Sequence, residues 1–448
     1  MEPKERTNTP TILVIVGITG DLAQRKLLPA IADLAKAGAL PEHFTLLGIT
    51  RRAEVTVSEV LKKFPADSYI HAHTELLQMD LDDDASYERL KMHLEQIEQR
   101  YGSSAQRLFY LSVAPEVSVG IIEHLGTSGL SRIPETRLLL EKPFGTDLAS
   151  ANTLIADIEA HFDAGQVYRI DHYVAKEMAQ NIIAFRGGNA LFKRTWNKDF
   201  IEKIEIIASE QIGIEGRAHF YEQTGALRDI IQSHLLAVAA LVLMDLPENL
   251  GEVPQKRLEA LKALSVSEPL SKHMLRGQYK TYKDEVKNEE THTETFSSLI
   301  LHSNNGQWST VPVVLATGKA LKEKKTEIRI YYKKEGKESN MLVLRLQPDE
   351  GISFSIYTKR PGYAYVLDPH MLKYDYRDHY TTVPEAYEQV LYNAVQGDHQ
   401  LFTLNEEVLE TWRILHPVQK QWNDTSTDLF EYENGTAIED ILEKYNSL

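Results

Sequence analysis

The sequence predicts an N-terminal doubly wound, Rossmann-type α/β domain followed by a larger α+β domain with a mainly antiparallel sheet and helices. Three observations carry this. Residues 1–171 alternate strand-length apolar runs with helical periods, the pattern of parallel βαβ units. Residues 172–448 string strands together with few helices between them, the pattern of an antiparallel sheet. At 448 residues the chain is long enough for two or three domains of roughly 100–200 residues each.

In the first domain, apolar runs at 12–16, 44–49, 76–79, 107–111, 137–140 and 167–170 have strand length, and helical periods fill 22–37, 85–101, 117–125 and 148–161. In the second, strands are expected at 200–209, 293–302, 311–316, 327–332, 341–346 and 352–357. An apolar-rich helix is expected over 226–246, interrupted by Arg228, Asp229, Gln232 and His234. The polar stretch 280–293 reads as the mobile loop and roughly the last twenty residues as a variable tail. No internal repeat or low-complexity tract is visible.

At 42% hydrophobic and 25% charged, the composition is that of an ordinary globular protein. No apolar run approaches the roughly 18–20 residues of a membrane helix, and the polar N-terminus shows no cleavage pattern, so neither a membrane span nor a signal peptide is expected. The absence of cysteine excludes disulfides, thiolate ligands and a cysteine nucleophile, and fits a reducing compartment; the expected address is cytoplasmic. Net charge is 49 − 65 = −16, which speaks against nucleic acid or a membrane surface as partner. An anionic ligand would need a local basic island. Arg51 with Arg52, Lys142, the run 169–176 and the run 319–325 are the candidates, although each lysine taken singly reads better as a solvated surface charge and only shared context changes that.

The densest signal is Arg169 to Glu177 (RIDHYVAKE), where cations, an acid–imidazole pair and a phenol crowd the end of an apparent strand. Open α/β sheets place their ligands at such ends. The first strand runs into Gly17, Thr19, Gly20, Asp21 and Leu22, and a helix opens at once. Glycines there let backbone approach a pyrophosphate, and the helix N-terminus offers it free amide hydrogens; any tight strand-to-helix turn also favours glycine. The second strand ends at Arg51 and Arg52, where an NAD site would usually present an acidic side chain. Two arginines favour a 2′-phosphate, hence NADP over NAD; a solvated basic turn is the alternative. Lys142, at the end of the fifth strand and followed by Pro143, could hold a substrate hydroxyl or the nicotinamide side, or simply mark a structural turn. Asp171, His172 and His234 are the acid–base candidates, because hydride leaves carbon more easily as the attached hydroxyl loses its proton to a base of pKa about 6.5. His234, taken alone on an apolar helix, reads first as a hydrogen-bonded core residue.

Together the strings GITGDLAQRKL (17–27), EKPFG (141–145), RIDHYVAKE (169–177), GALRDIIQSHLL (225–236), TETF (293–296), GKAL (318–321), LQPDEGI (346–352) and TWRILHP (411–417) resemble the glucose-6-phosphate dehydrogenase family, in order and nearly end to end. The resemblance implies oxidation of glucose 6-phosphate at carbon 1 with hydride passing to NADP, NAD being a secondary coenzyme. It implies His234 as general base and Asp171 as the carboxylate that charges that imidazole. His172, Tyr173 and Lys176 would bind the phosphate. Glu210, Asp229, Lys142, Lys319 and Lys324 would contact the sugar, with Lys142 also near the cofactor. Gly17, Thr19, Gly20, Asp21 and Leu22 would surround the coenzyme, and Arg51 and Arg52 would meet its 2′-phosphate. No metal is implied. The chain departs from the family's pattern at Ala175, commonly glycine, at Ser233, usually asparagine, at Ala316, often arginine, and in a shortened stretch over 277–293. A large antiparallel sheet invites pairing across a two-fold axis, so a homodimer is expected, with a tetramer as the alternative. Two competing readings are an oxidoreductase for a different or unphosphorylated sugar and a non-catalytic NADP sensor; the cations at His172 and Lys176 speak against the first, and Asp171 with His234 against the second.

Overall fold

The computed structural model describes residues 8–133, 135–335, 338–425 and 428–445; most of the N-terminal stretch read for targeting lies outside them. The chain forms two units. One holds the residues up to Ala175 together with Glu248–Pro254 and Pro384–Val408, and the other holds Lys176–Pro247, Gln255–Val383 and the residues from Leu409 onward. The sequence divides the chain once, at 171; here the first unit reaches Ala175 and also takes Glu248–Pro254 and Pro384–Val408 from the later part of the chain.

The first unit is built on β1 (Thr11–Val16), β2 (Phe44–Thr50), β3 (Thr74–Gln78), β4 (Gln106–Leu111), β5 (Thr136–Leu140) and β6 (Val167–Ile170), parallel and in the spatial order 3-2-1-4-5-6. A seventh short strand, Phe402–Thr403, runs antiparallel to β6. β1, β2 and β4 are buried along their whole length, as both-face coverage requires, which is why they read as continuous apolar runs rather than alternations. The order reverses between β1 and β4, creating the crevice at the strands' carboxyl ends where doubly wound sheets take ligands. The returning helix Ala386–Gln396 buries Tyr387, Val390, Leu391, Ala394 and Val395 among Leu13, Ile15, Leu108 and Tyr110. Its last carbonyls are satisfied from the sheet: Arg137 Nη1 donates to Ala394 O at 2.6 Å and Gln106 Nε2 to Val395 O at 2.9 Å.

The second unit is built on β7 (Ile201–Ser209), β8 (Leu264–Val266), β9 (Met274–Tyr279), β10 (Phe296–Ser303), β11 (Val313–Gly318), β12 (Lys325–Tyr332), β13 (Met341–Gln347), β14 (Gly351–Lys359) and β15 (Leu367–Asp375). They run in the order 15-14-13-12-7-11-10-9 and end on the strand Leu429–Tyr432, while β8 pairs β10. β7 with β11, and β9 with Leu429–Tyr432, are parallel; the other pairs are antiparallel.

Several expectations need correction. The first helix is not one element: a π-helical turn, Ala23–Leu27, precedes the α-helix Leu28–Lys36. The apolar helix expected at 226–246 begins at Ala218, breaks at Gly225, winds as a π-helix over Leu227–Leu235 and ends at Leu243. By length and composition it could cross a membrane, yet 83% of its apolar window is buried within the protein, as in a core helix. The polar stretch 280–293 contains the helix Tyr282–Val286 and is anchored, because the Tyr282 hydroxyl donates to Glu222 at 2.6 Å and Thr291 Oγ1 to the same carboxylate at 2.8 Å. The supposed tail forms the strand Leu429–Tyr432 and the helix Ile438–Tyr445, held by buried Ile438, Ile441 and Leu442.

Candidate active site

In the first unit the glycine turn closes β1 against the end of β4. Gly17 adopts φ 90°, and a Cβ there would lie 2.5 Å from Ser112 O, so only glycine fits. Gly17 N donates to Ile49 O at 3.2 Å and Gly20 N to Gly17 O at 2.8 Å, which folds the turn tightly. Thr19 and Asp21 are exposed and Leu22 half-buried at the start of the first helix, and Asp21 pairs with Arg25 at 3.4 Å. The Ser112 hydroxyl is buried, with no hydrogen-bond partner among the described residues. A glycine turn with no room for a Cβ at Gly17, beside the orphaned Ser112 hydroxyl at the switch point, fits a dinucleotide. Arg51 and Arg52 leave the end of β2 exposed, with Arg52 N on Thr50 Oγ1 at 3.2 Å.

At the end of β5, Glu141 carries a feature that the sequence reading missed. The Tyr110 hydroxyl donates to it at 2.5 Å and the Tyr387 hydroxyl also donates to it. Burial pushes this carboxyl above the usual range, with the two phenols and Lys142 pulling the other way. The Tyr387 ring in turn stacks on His172, with centroids 6.1 Å apart and an interplanar angle of 13°, and Tyr173 meets His172 edge-on at 5.0 Å. The carboxylate therefore fixes a phenol that orients the imidazole. The lone string EKP gave no sign of this, because Tyr387 lies hundreds of residues away in the sequence. Asp171 is buried and accepts from Tyr173 N at 2.9 Å, which folds the chain back just after β6. Arg169, counted in the sequence with the basic island, is no surface cation. It is buried over the Phe144 ring at 5.9 Å, near Glu159 and Glu406, and burial lowers its pKa to about 10.

In the second unit Lys176 occupies the position before the helix Glu177–Gly188, whose early Met178 N–H donates to Glu350 at 2.6 Å. Asp229 and His234 sit on the π-helix. On an α-helix residues five apart diverge by about 140°; the i→i+5 bonding of a π-helix brings them toward one side. The helix start is fixed by Glu294, a buried carboxylate from TETF that accepts from Leu227 N at 2.9 Å, while its backbone oxygen accepts from Ala226 N at 2.9 Å. Burial raises the Glu294 pKa. His234 is buried, Ser233 Oγ donates to Asp229 O at 2.5 Å, and Gln232 turns instead to Thr411 Oγ1 at 2.9 Å. Lys319, buried at the end of β11, pairs with Glu210 and lies 3.5 Å from Asp229, with its ammonium 5.1 Å from the centre of the Tyr221 ring. The structure thus gathers Glu210, Asp229 and Lys319. Lys324 is exposed in the turn after β11. One lysine between two carboxylates and a buried ring is suited to hydroxyl groups rather than to a second anion.

Residues 14–181 match the family model described as glucose-6-phosphate dehydrogenase, NAD binding domain, and residues 183–445 match its C-terminal domain. The curated glucose-6-phosphate 1-dehydrogenase of Bacillus subtilis is 35% identical, covering 97% of this chain and 96% of the relative. That of Chlamydia muridarum is 35% identical, covering 92% and 90%. Among solved structures, a glucose-6-phosphate dehydrogenase in complex with its substrate glucose-6-phosphate superposes with a TM-score of 0.91 at 28% identity, covering 99% of this chain and 98% of that one. Gal80p from Saccharomyces cerevisiae, at 12% identity and a TM-score of 0.56, shares the fold alone. With both of its family models matched in sequence order and relatives aligned over nearly their whole lengths, this chain belongs to the glucose-6-phosphate dehydrogenase family.

Proposed function

We propose that the protein oxidises D-glucose 6-phosphate at carbon 1 to 6-phospho-D-glucono-1,5-lactone, the first step of the oxidative pentose phosphate pathway, with NADP as coenzyme. The observation that carries this is the end-to-end match to the family's two domains together with the retained Asp171, His234 and Lys319. His234 takes the proton of the carbon-1 hydroxyl, and the carbon-bound hydrogen leaves with its electron pair as the carbonyl forms. Asp171 stabilises the imidazolium that results. Bound NADP+ supplies the hydride acceptor. Glu210, Asp229 and Lys319 orient the sugar hydroxyls, with Lys142 and Lys324 as further sugar contacts; the exposure of Lys324 makes it the outermost of them. His172, Tyr173 and Lys176 take the phosphate, and the stack of His172 on Tyr387 supports that role by holding the ring.

Gly17, Thr19, Gly20, Asp21 and Leu22 surround the coenzyme, and Arg51 and Arg52 meet its 2′-phosphate. Arginine there strengthens NADP binding without repelling NAD, which leaves NAD as a secondary coenzyme. The exposed apolar groups of the edge strand β15 and its approach, Tyr365, Val366, Leu367, Met371 and Leu372, support a homodimer, and sedimentation equilibrium counts the protomers. The cysteine-free composition supports a cytoplasmic address. The test is coenzyme reduction with glucose, glucose 6-phosphate and 6-phosphogluconate offered in parallel. Reduction with glucose 6-phosphate alone is expected, and equal rates with glucose would overturn the phosphate assignment.

A further inference from the structure

The sugar-side lysine stands on a backbone turn that cannot hold its own shape. Ala320, the next residue, has φ 52°, in the left-handed region that residues other than glycine rarely occupy and that persists only where surrounding bonds over-determine it. Those bonds are visible. Lys319 N donates to Thr295 O at 2.9 Å, Ala320 N to Ile212 O at 2.9 Å and Leu321 N to Glu210 O at 2.9 Å. The remaining ones come from the far end of the chain. The Tyr432 hydroxyl donates to Lys319 O at 2.8 Å, Gly435 N donates to Ala320 O at 2.7 Å, and Lys322 N donates to Thr436 O at 3.0 Å.

This segment is itself firmly seated. Leu429–Tyr432 pairs in register with β9, with Tyr432 opposite Tyr279, and Lys280 N donates to Tyr432 O at 3.0 Å. The following helix buries Ile438, Ile441 and Leu442 in one cluster with Tyr221, Phe296, Ala320 and Leu321. Its Glu439 pairs with Lys325 at 2.7 Å and with Arg329 at 2.5 Å, on the strand that leaves the turn. Tyr432 is buried, and its hydroxyl also lies 2.9 Å from Thr295 Oγ1, so the phenol ties together the TETF segment and the Lys319 carbonyl.

We propose that the C-terminal segment Leu429–Tyr445 is a positioning element for sugar binding and that Tyr432 is its principal positioning residue, aiming the Lys319 ammonium by fixing the Lys319 carbonyl. The inference rests on the reading that Lys319 contacts the sugar. Tyr432 touches no substrate; it acts through the turn, with Ala320 held in its left-handed conformation as the consequence.

The test uses the full-length protein with Tyr432→Phe, which deletes a single oxygen. Loss of one neutral hydrogen bond corresponds to a rise of roughly fivefold in KM for the sugar phosphate, with KM for the coenzyme and kcat little changed. Adding Ala320→Gly, which lets the turn adopt positive φ without strain, should reverse most of the rise in KM; a purely structural role for the phenol would not be rescued there. Should Tyr432→Phe fail to fold, Thr295→Val removes the hydroxyl that Tyr432 shares and should raise the same KM. Lys319→Ala is the control. If it raises the sugar KM while Tyr432→Phe does not, or if Tyr432→Phe raises both KM values alike, the positioning role is overturned. If Lys319→Ala leaves sugar KM and kcat unchanged, it is the sugar-binding reading of Lys319 that falls.

Discussion

Gly225→Ala probes the helix that carries Asp229 and His234 at its weakest point. Gly225 sits at φ 65°, ψ 174°, a region open to essentially glycine alone, so any side chain there costs of order 1–3 kcal/mol in backbone strain. A Cβ would also lie 2.4 Å from Glu294 Oε1, the atom that accepts the Leu227 N–H. Glu294 would have to move, and loss of a hydrogen bond to a charged acceptor adds about 1.5–3 kcal/mol. The expected total is about 2.5–6 kcal/mol, read from urea unfolding, with a fall in turnover because the helix start no longer fixes Asp229 and His234. Gly216→Ala in the same unit separates the two contributions: its φ is 76°, but no atom lies within 4 Å of a Cβ there, so only backbone strain is incurred. A double substitution, Gly225→Ala with Glu294→Ala, should lose less than the sum of the single changes, since the clash is removed with its partner. Equal losses for Gly225→Ala and Gly216→Ala would refute the claim that Glu294 pins the helix.

Two further outcomes are expected. Glu439 is held down to about 2 by Lys325 and Arg329 against burial, below an ordinary 4.5, so it stabilises the fold above pH 4.5 and that contribution is lost as pH falls toward about 2. Its side chain is 39% exposed, so solvent screening reduces the nominal effect to about 1 kcal/mol. Glu439→Gln should therefore cost about that much at pH 7, with the gap to the parent closing between pH 4.5 and about 2; a gap independent of pH would contradict it. Arg51→Ala combined with Arg52→Ala should raise KM for NADP about 10- to 100-fold and leave KM for NAD unchanged in parallel initial-rate assays. Equal changes with both coenzymes would remove these arginines from the 2′-phosphate.

The parallel sheet was legible because its strands are buried on both faces and read as bare apolar runs, with β1 and β4 as the clearest cases. The strand β15 was not legible. It contains Pro369, pairs among the described residues with β14 alone and is largely exposed, so its sequence lacks the alternation that marks a half-buried strand. The π-helices escaped because a period of 3.6 is what an apolar pattern reveals, and a wider turn such as Leu227–Leu235 shows only in the backbone. Of the site, Asp229 and Lys319 stood out in the residues and in the family's motifs, whereas Glu210 lies in no motif and came from the resemblance alone. What the motifs omitted is support from a distance. Tyr387 reaches Glu141 through a segment that returns to the first unit, and Tyr432 reaches Lys319 from the C-terminal strand; nothing local to either residue announces its partner.

His234→Asn tests the proton acceptor most directly. Isothermal titration of the variant should show the sugar phosphate and NADP bound nearly as tightly as by the parent, while single-turnover coenzyme reduction falls by about 10²–10⁴-fold, the span a general base supplies. Reduction at close to the parent rate, with both ligands bound, would remove His234 as the group that takes the proton.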